Sequence, residues 1–228
     1  MISWGVYTLD IANNIKELRS SIPDSVKIIA VSKTKPLEDI KTAYECGVRD
    51  FGENKVQELV DKHDKLQEDI RWHLLGHLQR NKVKYIVGKV HLIHSLDSVR
   101  LLAEIEKQYS KRNLTADALI QINIGREEQK YGVLEENLPE LIKAVEECSK
   151  VKIHGIMAII PKGSEKENET YFRQVFAIWD ELKNKQFKNI SMEVLSMGMT
   201  HDYKIAVKCG SNMIRIGEGI FGKRDYNI

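Results

Sequence analysis

Short apolar runs alternate with longer amphipathic stretches between residues 27 and 216. Eight runs, most of them rich in Val, Ile or Leu, suit strands that are buried on both faces. These runs lie at residues 27–32, 49–52, 71–75, 90–94, 116–124, 153–159, 192–195 and 213–216. The segments between them have helical period, and one apolar stripe consists of Leu134, Leu138, Leu141, Ile142 and Val145. Residues 4–20 predict an additional helix ahead of the first strand.

Alternation of strands and helices predicts a parallel sheet, and eight such units fit a (β/α)8 barrel. We therefore expect an α/β fold, a single TIM-barrel domain over residues 1–228 with an extra N-terminal helix. A doubly wound open sheet is the alternative. That fold normally carries a glycine fingerprint after its first strand, and the segment SKTKP at residues 32–36 contains no glycine.

The composition is that of an ordinary globular protein, with 42% hydrophobic and 30% charged residues. A formal net charge of +2 gives no whole-molecule attraction to nucleic acid or to a membrane. No apolar run approaches the ~18 residues that span a bilayer. Because there is no CxxC pair and the amino end lacks signal-peptide features, we expect the cytoplasm as location.

The candidate chemistry collects where the predicted strands end, which is where the active site of such a barrel lies. Lys33 follows the first strand, Asn54 follows the second, and Ser196 follows the seventh. Arg215 and Gly217 come at the end of the eighth strand. An amine at the rim of an apolar barrel is poorly solvated, and as a nucleophile it can form a Schiff base with an aldehyde.

The loops after the seventh and eighth strands are the usual phosphate site of this barrel. Gly198 and Gly217 allow the backbone to approach an anion closely. Met199 and Thr200 are expected to begin a helix whose N–H groups favour an anion, and Thr200 adds a hydroxyl. A phosphate site facing Lys33 suits a phosphorylated aldehyde, and pyridoxal 5′-phosphate (PLP) is the obvious candidate.

Five segments of the chain, in order, resemble the pyridoxal phosphate homeostasis protein family, which is built like the barrel of alanine racemase. They are AVSKTKP at 30–36, FGEN at 51–54, HLLGHLQRNK at 73–82, SMGM at 196–199 and RIG at 215–217. The resemblance implies that Lys33 carries PLP as a Schiff base. The full set of expected cofactor-binding residues is Lys33, Asn54, Ser196, Gly198, Met199, Thr200, Arg215 and Gly217. Thr200 stands where the family usually has serine, and Arg80 where a small polar residue is commoner.

The resemblance also implies a protein without strong catalytic activity. Arg215 matches the arginine that faces the cofactor's pyridine nitrogen, and a guanidinium does not hand over a proton, so the ring is a weaker electron sink. Racemisation needs a second acid–base group, which alanine racemase takes from a tyrosine of a partner subunit in a region linked to a second β-domain. Eight βα units account for this chain except for residues 223–228, so we expect no second domain that could help to build such a site.

We therefore expect a PLP buffer or carrier with no catalytic residues, not an enzyme. We expect it to act as a monomer in PLP homeostasis, with PLP-dependent apoenzymes as candidate recipients. A slow PLP-dependent amino-acid racemase is the alternative.

Three further patterns allow other interpretations. His73, His77, His91 and His94 suggest a metal-dependent hydrolase, but no H-x-H pair or acidic partner completes a ligand set, so we expect no metal. A basic stretch over residues 80–89 has Tyr85 as its only aromatic residue, which favours a solvated helix face over a nucleic-acid site. Lys35, beside Pro36, is expected to turn to solvent.

Overall fold

The computed structural model of the protein describes residues 10–222. In this part of the chain eight parallel strands follow one another around a closed barrel, and β8 pairs with β1. The strands are β1 (Lys27–Val31), β2 (Asp50–Glu53), β3 (Arg71–Leu74), β4 (Leu92–Leu96), β5 (Ala116–Ile122), β6 (Val151–Ala158), β7 (Ile190–Ser196) and β8 (Met213–Ile216). The predicted TIM barrel is confirmed, and the open sheet is excluded.

Helices connect the strands and cover the outside of the barrel. They are α1 (Ile11–Ser20), α2 (Leu37–Glu45), α3 (Val56–His63), α4 (Val83–Ile86), α5 (Val99–Lys111), α6 (Leu138–Glu146), α7 (Glu165–Lys183), α8 (Tyr203–Lys208) and α9 (Glu218–Phe221). The extra helix before β1 is confirmed as α1, which Asp10 caps by accepting the N–H of Asn13. Residues 4–9 of its predicted span lie outside the described residues. No helix between residues 10 and 222 combines the length and the apolar character that a bilayer crossing needs.

Predicted strand ends are shifted by up to two residues. β4 begins at Leu92 and takes in Ser95, which is buried although polar. β6 begins at Val151 and includes Lys152, which is half-buried between two buried neighbours because successive side chains of a strand face opposite sides. An apolar run therefore locates a strand here, but polar residues at its ends belong to it whenever their neighbours pair.

Two apolar layers make up the core, one between the sheet and the helices and one inside the barrel. The inner layer consists of Ile29, Val31, Leu75, Leu92, Leu119, Met157 and Met213. Ile29 and Val31 face the inside of the barrel, and Lys33 lies in the turn directly after β1, at the C-terminal end of the barrel. Ile29 lies opposite Arg215 in the β1–β8 register, so the Arg215 side chain also faces the interior.

Candidate functional site at the C-terminal end of the barrel

Lys33 emerges where β1 stops, beside the loop that follows β8. Its side chain is half-buried, and it follows Ser32, which is fully buried. A Cβ atom built on Gly217 would lie 3.4 Å from the Cβ of Val31, so the two strand ends are in contact. The lysine and the predicted phosphate loops therefore share one end of the barrel.

A buried ion-pair network lies behind Lys33, between the barrel and helix α3. Lys62 donates to Glu53 Oε1 at 2.8 Å, to Glu58 Oε1 at 2.7 Å and to the carbonyl oxygen of Ser32 at 2.8 Å. We call Lys62, Glu53 and Glu58 the lysine clamp. Burial raises the pKa of the Glu53 carboxyl although Lys62 opposes the shift, which indicates how strongly this group is desolvated.

The lysine clamp holds the backbone on both sides of Lys33. Before it, the Ser32 hydroxyl donates to Glu53 Oε1 at 2.6 Å. After it, the backbone N–H of Thr34 donates to Glu58 Oε1 at 2.5 Å. Thr34 has a φ of +64°, a left-handed conformation that a β-branched residue seldom adopts. The clamp therefore fixes the turn that presents the lysine, and sequence reasoning did not find it.

Gly198 shapes the loop after β7. Its φ is +96°, and a Cβ atom at this position would lie 2.7 Å from the Cβ of Ala206 and 3.0 Å from the Cα of Tyr203. Only glycine fits this combination of backbone conformation and space. Its carbonyl oxygen accepts the N–H of Arg215 at 3.0 Å, which ties the loop to β8.

The predicted helix start at Met199 and Thr200 is wrong, because α8 begins at Tyr203. The Met199 N–H donates to Asp202 Oδ1 at 2.5 Å and so closes a turn ahead of the helix. The Met199 side chain is 38% exposed. The positive φ of Gly198 and this turn delay the helix, so its first turn does not supply the anion donors.

Thr200 instead joins the two predicted phosphate loops. Its Oγ1 accepts the N–H of Gly219 at 3.2 Å. Between residues 10 and 222, the backbone N–H groups of Thr200 and Gly217 have no hydrogen-bond acceptor. These two N–H groups and the Thr200 hydroxyl are donors that an anion can use.

Arg215 is buried, and among residues 10–222 its guanidinium forms no salt bridge with a carboxylate. Nη1 donates to Ser196 Oγ at 2.7 Å, and Nη2 donates to the carbonyl oxygen of Ala158 at 2.9 Å. Burial lowers the pKa of the Arg215 guanidinium to about 10, a shift that Asp202 opposes. At neutral pH the guanidinium is therefore a buried cation that donates hydrogen bonds.

A chain of hydrogen bonds continues from Arg215 through the barrel interior. Ser196 Oγ lies 3.3 Å from His94 Nδ1, and His94 Nε2 lies 2.9 Å from His73 Nδ1. His73 Nε2 in turn lies 3.0 Å from Asp50 Oδ1. We call Asp50, His73, His94 and Ser196 the polar relay. Each of its members is at least 94% buried.

The histidines that suggested a metal site lie in different surroundings. His73 and His94 face each other, whereas His77 stacks on Tyr131 with ring centroids 3.7 Å apart. No group of three or more metal-ligating side chains forms between residues 10 and 222. The sequence signal for the relay was the pair of histidines on neighbouring strands, but their facing partners could not be read from spacing.

Two further predicted positions lie at the same end of the barrel. Asn54 follows β2 and is half-buried, and a Cβ on Gly76 would lie 2.2 Å from its carbonyl oxygen. Lys35 does not turn to solvent as expected. It is half-buried, and its Nζ donates to the carbonyl oxygen of Phe221 at 2.6 Å. The helix that follows β8 draws this lysine away from the barrel interior.

This barrel, with a lysine directly after its first strand, belongs to the class of barrels that are built like the N-terminal domain of alanine racemase. Residues 8–225 match the family described as alanine racemase, N-terminal domain. The alanine racemase of Clostridium difficile 630 superimposes with a TM-score of 0.76 at 14% identity, covering 96% of this chain and 58% of that one. A likeness at this identity concerns the fold alone.

Closer relatives narrow this class. The pyridoxal phosphate homeostasis protein of Aquifex aeolicus is 45% identical over 202 residues, which is 88% of each chain. The protein of that name from Escherichia coli K12 is 36% identical over 233 residues, covering 96% of this chain and 98% of its own length. The chain therefore belongs to the pyridoxal phosphate homeostasis protein family.

Among solved structures, PipY of Synechococcus elongatus PCC7942 is similar to this chain in both sequence and fold. Its structure without PLP superimposes with a TM-score of 0.88 at 35% identity, covering 93% of this chain and 100% of that one. Its structure with PLP bound gives a TM-score of 0.83 at 36% identity, with the same coverage.

Proposed function

We propose that this protein binds PLP at the C-terminal end of its barrel, holds it on Lys33, and serves intracellular PLP homeostasis as a buffer or carrier. Family membership and the PLP-bound structure of PipY support the cofactor. The observation that carries the assignment is that Lys33, directly after β1, and the buried Arg215, on the inner face of the neighbouring strand β8, lie at the same end of the barrel.

The residues at this end of the barrel fit the parts of PLP. The N–H groups of Thr200 and Gly217 and the Thr200 hydroxyl suit the phosphate, which Gly198 lets approach the backbone. Arg215 suits the pyridine nitrogen as a hydrogen-bond donor. The proposed site also includes Asn54, Ser196 and Met199, which the fold brings to the same end of the barrel.

PLP bound there supplies an aldehyde, with which the Lys33 amine condenses to a Schiff base while one water molecule is released. The reaction is reversible, so the same lysine can hold the aldehyde and release it. The lysine clamp fixes the backbone turn from which the Lys33 side chain extends.

The presence of Arg215 favours a protein that stores the cofactor over an enzyme that uses it for catalysis. A guanidinium with a pKa of about 10 stays charged at neutral pH, so it donates a hydrogen bond but keeps its proton. A carboxylate at this position would keep the ring nitrogen protonated and make the ring a stronger electron sink. We therefore infer a protein without strong catalytic activity.

Further parts of the proposal concern the whole protein. We infer that residues 1–228 form a single domain that acts as a monomer in the cytoplasm. PLP-dependent apoenzymes are the proposed recipients of the cofactor. Positive and negative residues nearly balance, with a formal net charge of +2, so we expect no association with nucleic acid or with a membrane.

Transfer and turnover assays separate the carrier from its alternative, a slow racemase. The protein loaded with PLP and freed of excess cofactor is mixed with a PLP-free aminotransferase, and recovery of aminotransferase activity is followed. We expect full transfer from the wild type, and no cofactor to transfer from Lys33→Ala. Interconversion of L- and D-alanine at ~10 per second, a typical enzyme rate, would contradict the carrier function.

A further inference from the structure

We propose that the polar relay is a positioning device for Arg215. It fixes the direction in which the guanidinium presents its remaining N–H donors at the C-terminal end of the barrel. Through Arg215 it sets the surroundings of the cofactor's ring nitrogen, a consequence that rests on the proposed function.

The position of the relay side chains follows from the barrel register. Ser196 lies opposite Met157 and Met213, both in the inner apolar layer. His73 lies opposite Leu92 of the same layer. His94 follows Leu92 by two residues, so it faces the interior too. The relay therefore crosses the inside of the barrel, where water does not compete for its hydrogen bonds.

The direction of the first hydrogen bonds is fixed by Asp50. Two hydrogen bonds from Arg71, of 2.8 and 2.5 Å, hold its carboxylate, and together with His73 they keep the pKa of Asp50 well below its usual range. A carboxylate can only accept, so His73 must donate through Nε2–H. In a neutral imidazole the other nitrogen then accepts, and His73 Nδ1 takes the Nε2–H of His94.

The same logic continues to Arg215. His94 Nδ1 is left with a lone pair, so it accepts a hydrogen bond from the hydroxyl group of Ser196. The hydroxyl has no second proton, and its oxygen accepts the Nη1–H of Arg215. All four hydrogen bonds therefore point from Arg215 towards Asp50, and each donor has one acceptor.

Burial makes this arrangement unique. Burial lowers the pKa of both His73 and His94, so both rings are neutral. A change of tautomer in either ring would set two protons or two lone pairs against each other, and a buried polar atom without a partner is costly. The relay is thus locked in one hydrogen-bond direction.

The fixed hydrogen-bond direction matters for Arg215 because few other groups hold the guanidinium in place. Between residues 10 and 222 the guanidinium forms two side-chain hydrogen bonds, with Ser196 and with the carbonyl oxygen of Ala158. A guanidinium has five N–H donors, so the remaining ones are aimed by these two contacts. Because the Ser196 hydroxyl donates its hydrogen bond to His94, its oxygen lone pairs are directed at Arg215. Asp50, His73 and His94 are therefore positioning residues, and they need not touch the ligand.

The first test reads the tautomers directly, without cofactor. Long-range ¹H–¹⁵N spectra of the ¹⁵N-histidine-labelled protein at pH 7.5 distinguish the two neutral tautomers and the imidazolium. Comparison with His94→Gln and His73→Gln assigns the signals. We expect both rings as the neutral Nε2–H form. An Nδ1–H tautomer or an imidazolium at either position would overturn the relay.

The second test uses two variants of similar size. In His94→Gln the amide can accept from Ser196 and donate to His73, whereas His94→Leu can do neither. We expect His94→Leu to bind PLP about tenfold more weakly and to shift the absorption maximum of the bound cofactor. We expect His94→Gln to stay within about twofold of wild type. Equal affinity and equal spectra in all three proteins would overturn the inference.

Circular dichroism melting shows whether each variant is folded. If His94→Leu does not fold, Ser196→Ala, which removes one oxygen atom, replaces it with the same expected loss and spectral shift. Wild type that binds no PLP would contradict the proposed function but leave the tautomer test intact. Wild type that binds PLP, together with an unaffected Ser196→Ala variant, would contradict the relay alone.

Discussion

At the scale of single residues, the strand ends determine where the two main candidate side chains of the site lie. Arg215 faces the interior because it pairs with Ile29 of β1, and Lys33 lies in the turn that follows the end of β1. The polar relay is different, since His94 and Ser196 are 102 positions apart in the chain. Only closure of the barrel brings them together, so the sequence showed the histidines but not their partners.

Gly198→Ala tests whether the loop after β7 requires glycine. The φ of +96° and the 2.7 Å approach to the Cβ of Ala206 leave no relaxed place for a methyl group. We expect the free energy of unfolding in urea to fall by about 1–3 kcal/mol, and PLP affinity to fall with it.

Gly163→Ala is the matched control for this substitution. Gly163 has no positive φ, and a Cβ atom added there would meet only the Glu167 side chain, at 3.0–3.4 Å, which a shift of a few tenths of an ångström relieves. We expect its unfolding free energy to stay within about 0.5 kcal/mol of wild type. Equal losses in the two variants would show that the loop has no special demand for glycine.

The buried histidines predict a pH dependence of stability. The folded-state pKa of His94 is well below its ordinary value of ~6.5, so the unfolded chain takes up a proton that the folded protein refuses. Stability is therefore full above pH ~6.5 and falls as the pH drops below it, by about 1.4 kcal/mol per pH unit for each such histidine. His73 and His91 act in the same direction, and His154 acts oppositely.

His94→Gln isolates the contribution of one ring, because the amide keeps the hydrogen bonds but does not titrate. We expect urea unfolding between pH 6 and pH 5 to give a slope about 1.4 kcal/mol per pH unit smaller than that of wild type. An unchanged slope would mean that His94 is protonated in the folded protein.

At the scale of elements, the strands followed from their apolar runs, and the errors lie in the loops that carry function. Helix α8 begins at Tyr203 and not at Met199, because Gly198 turns left-handed and Asp202 closes a turn first. The lysine clamp also escaped prediction. Lys62 lies on the inward side of α3, where its period predicts an apolar residue, and its partners come from β2 and from the same helix.

Lys62→Met tests the lysine clamp. Methionine fills a similar volume but leaves the carboxylate of Glu53 buried without its cation. We expect the free energy of unfolding to fall by about 3–5 kcal/mol, measured by urea denaturation. Formation of the Lys33 adduct should also slow, because the turn around Lys33 loses its anchor.

Two comparisons interpret the result for the clamp. Adding Glu53→Gln to Lys62→Met removes the unpaired charge, so most of the loss should be recovered. Lys185→Met removes an exposed pair with Glu181 and should change stability by less than about 1 kcal/mol. A loss in Lys62→Met as small as that of Lys185→Met would show that the clamp contributes little.

At the scale of the whole molecule, the closed barrel explains why residues from β1, β7 and β8 meet. The β8–β1 pairing places the end of β8 beside Lys33. The polar relay then connects this end with the opposite one, where Asp50 and Arg71 line a cleft of about 350 Å³. Fold and family were readable from the sequence, since both depend on local patterns and motifs. The interior network was not, since it depends on closure.

The most direct test of the central claim is borohydride reduction of the protein with PLP, followed by peptide mass mapping. Reduction makes a Schiff base permanent, so the mass identifies the lysine that carried the cofactor. We predict one equivalent of adduct on Lys33, no adduct there in Lys33→Ala, and an unchanged Lys33 adduct in Lys35→Ala. No adduct, or adducts scattered over surface lysines, would contradict the proposal that Lys33 holds the cofactor.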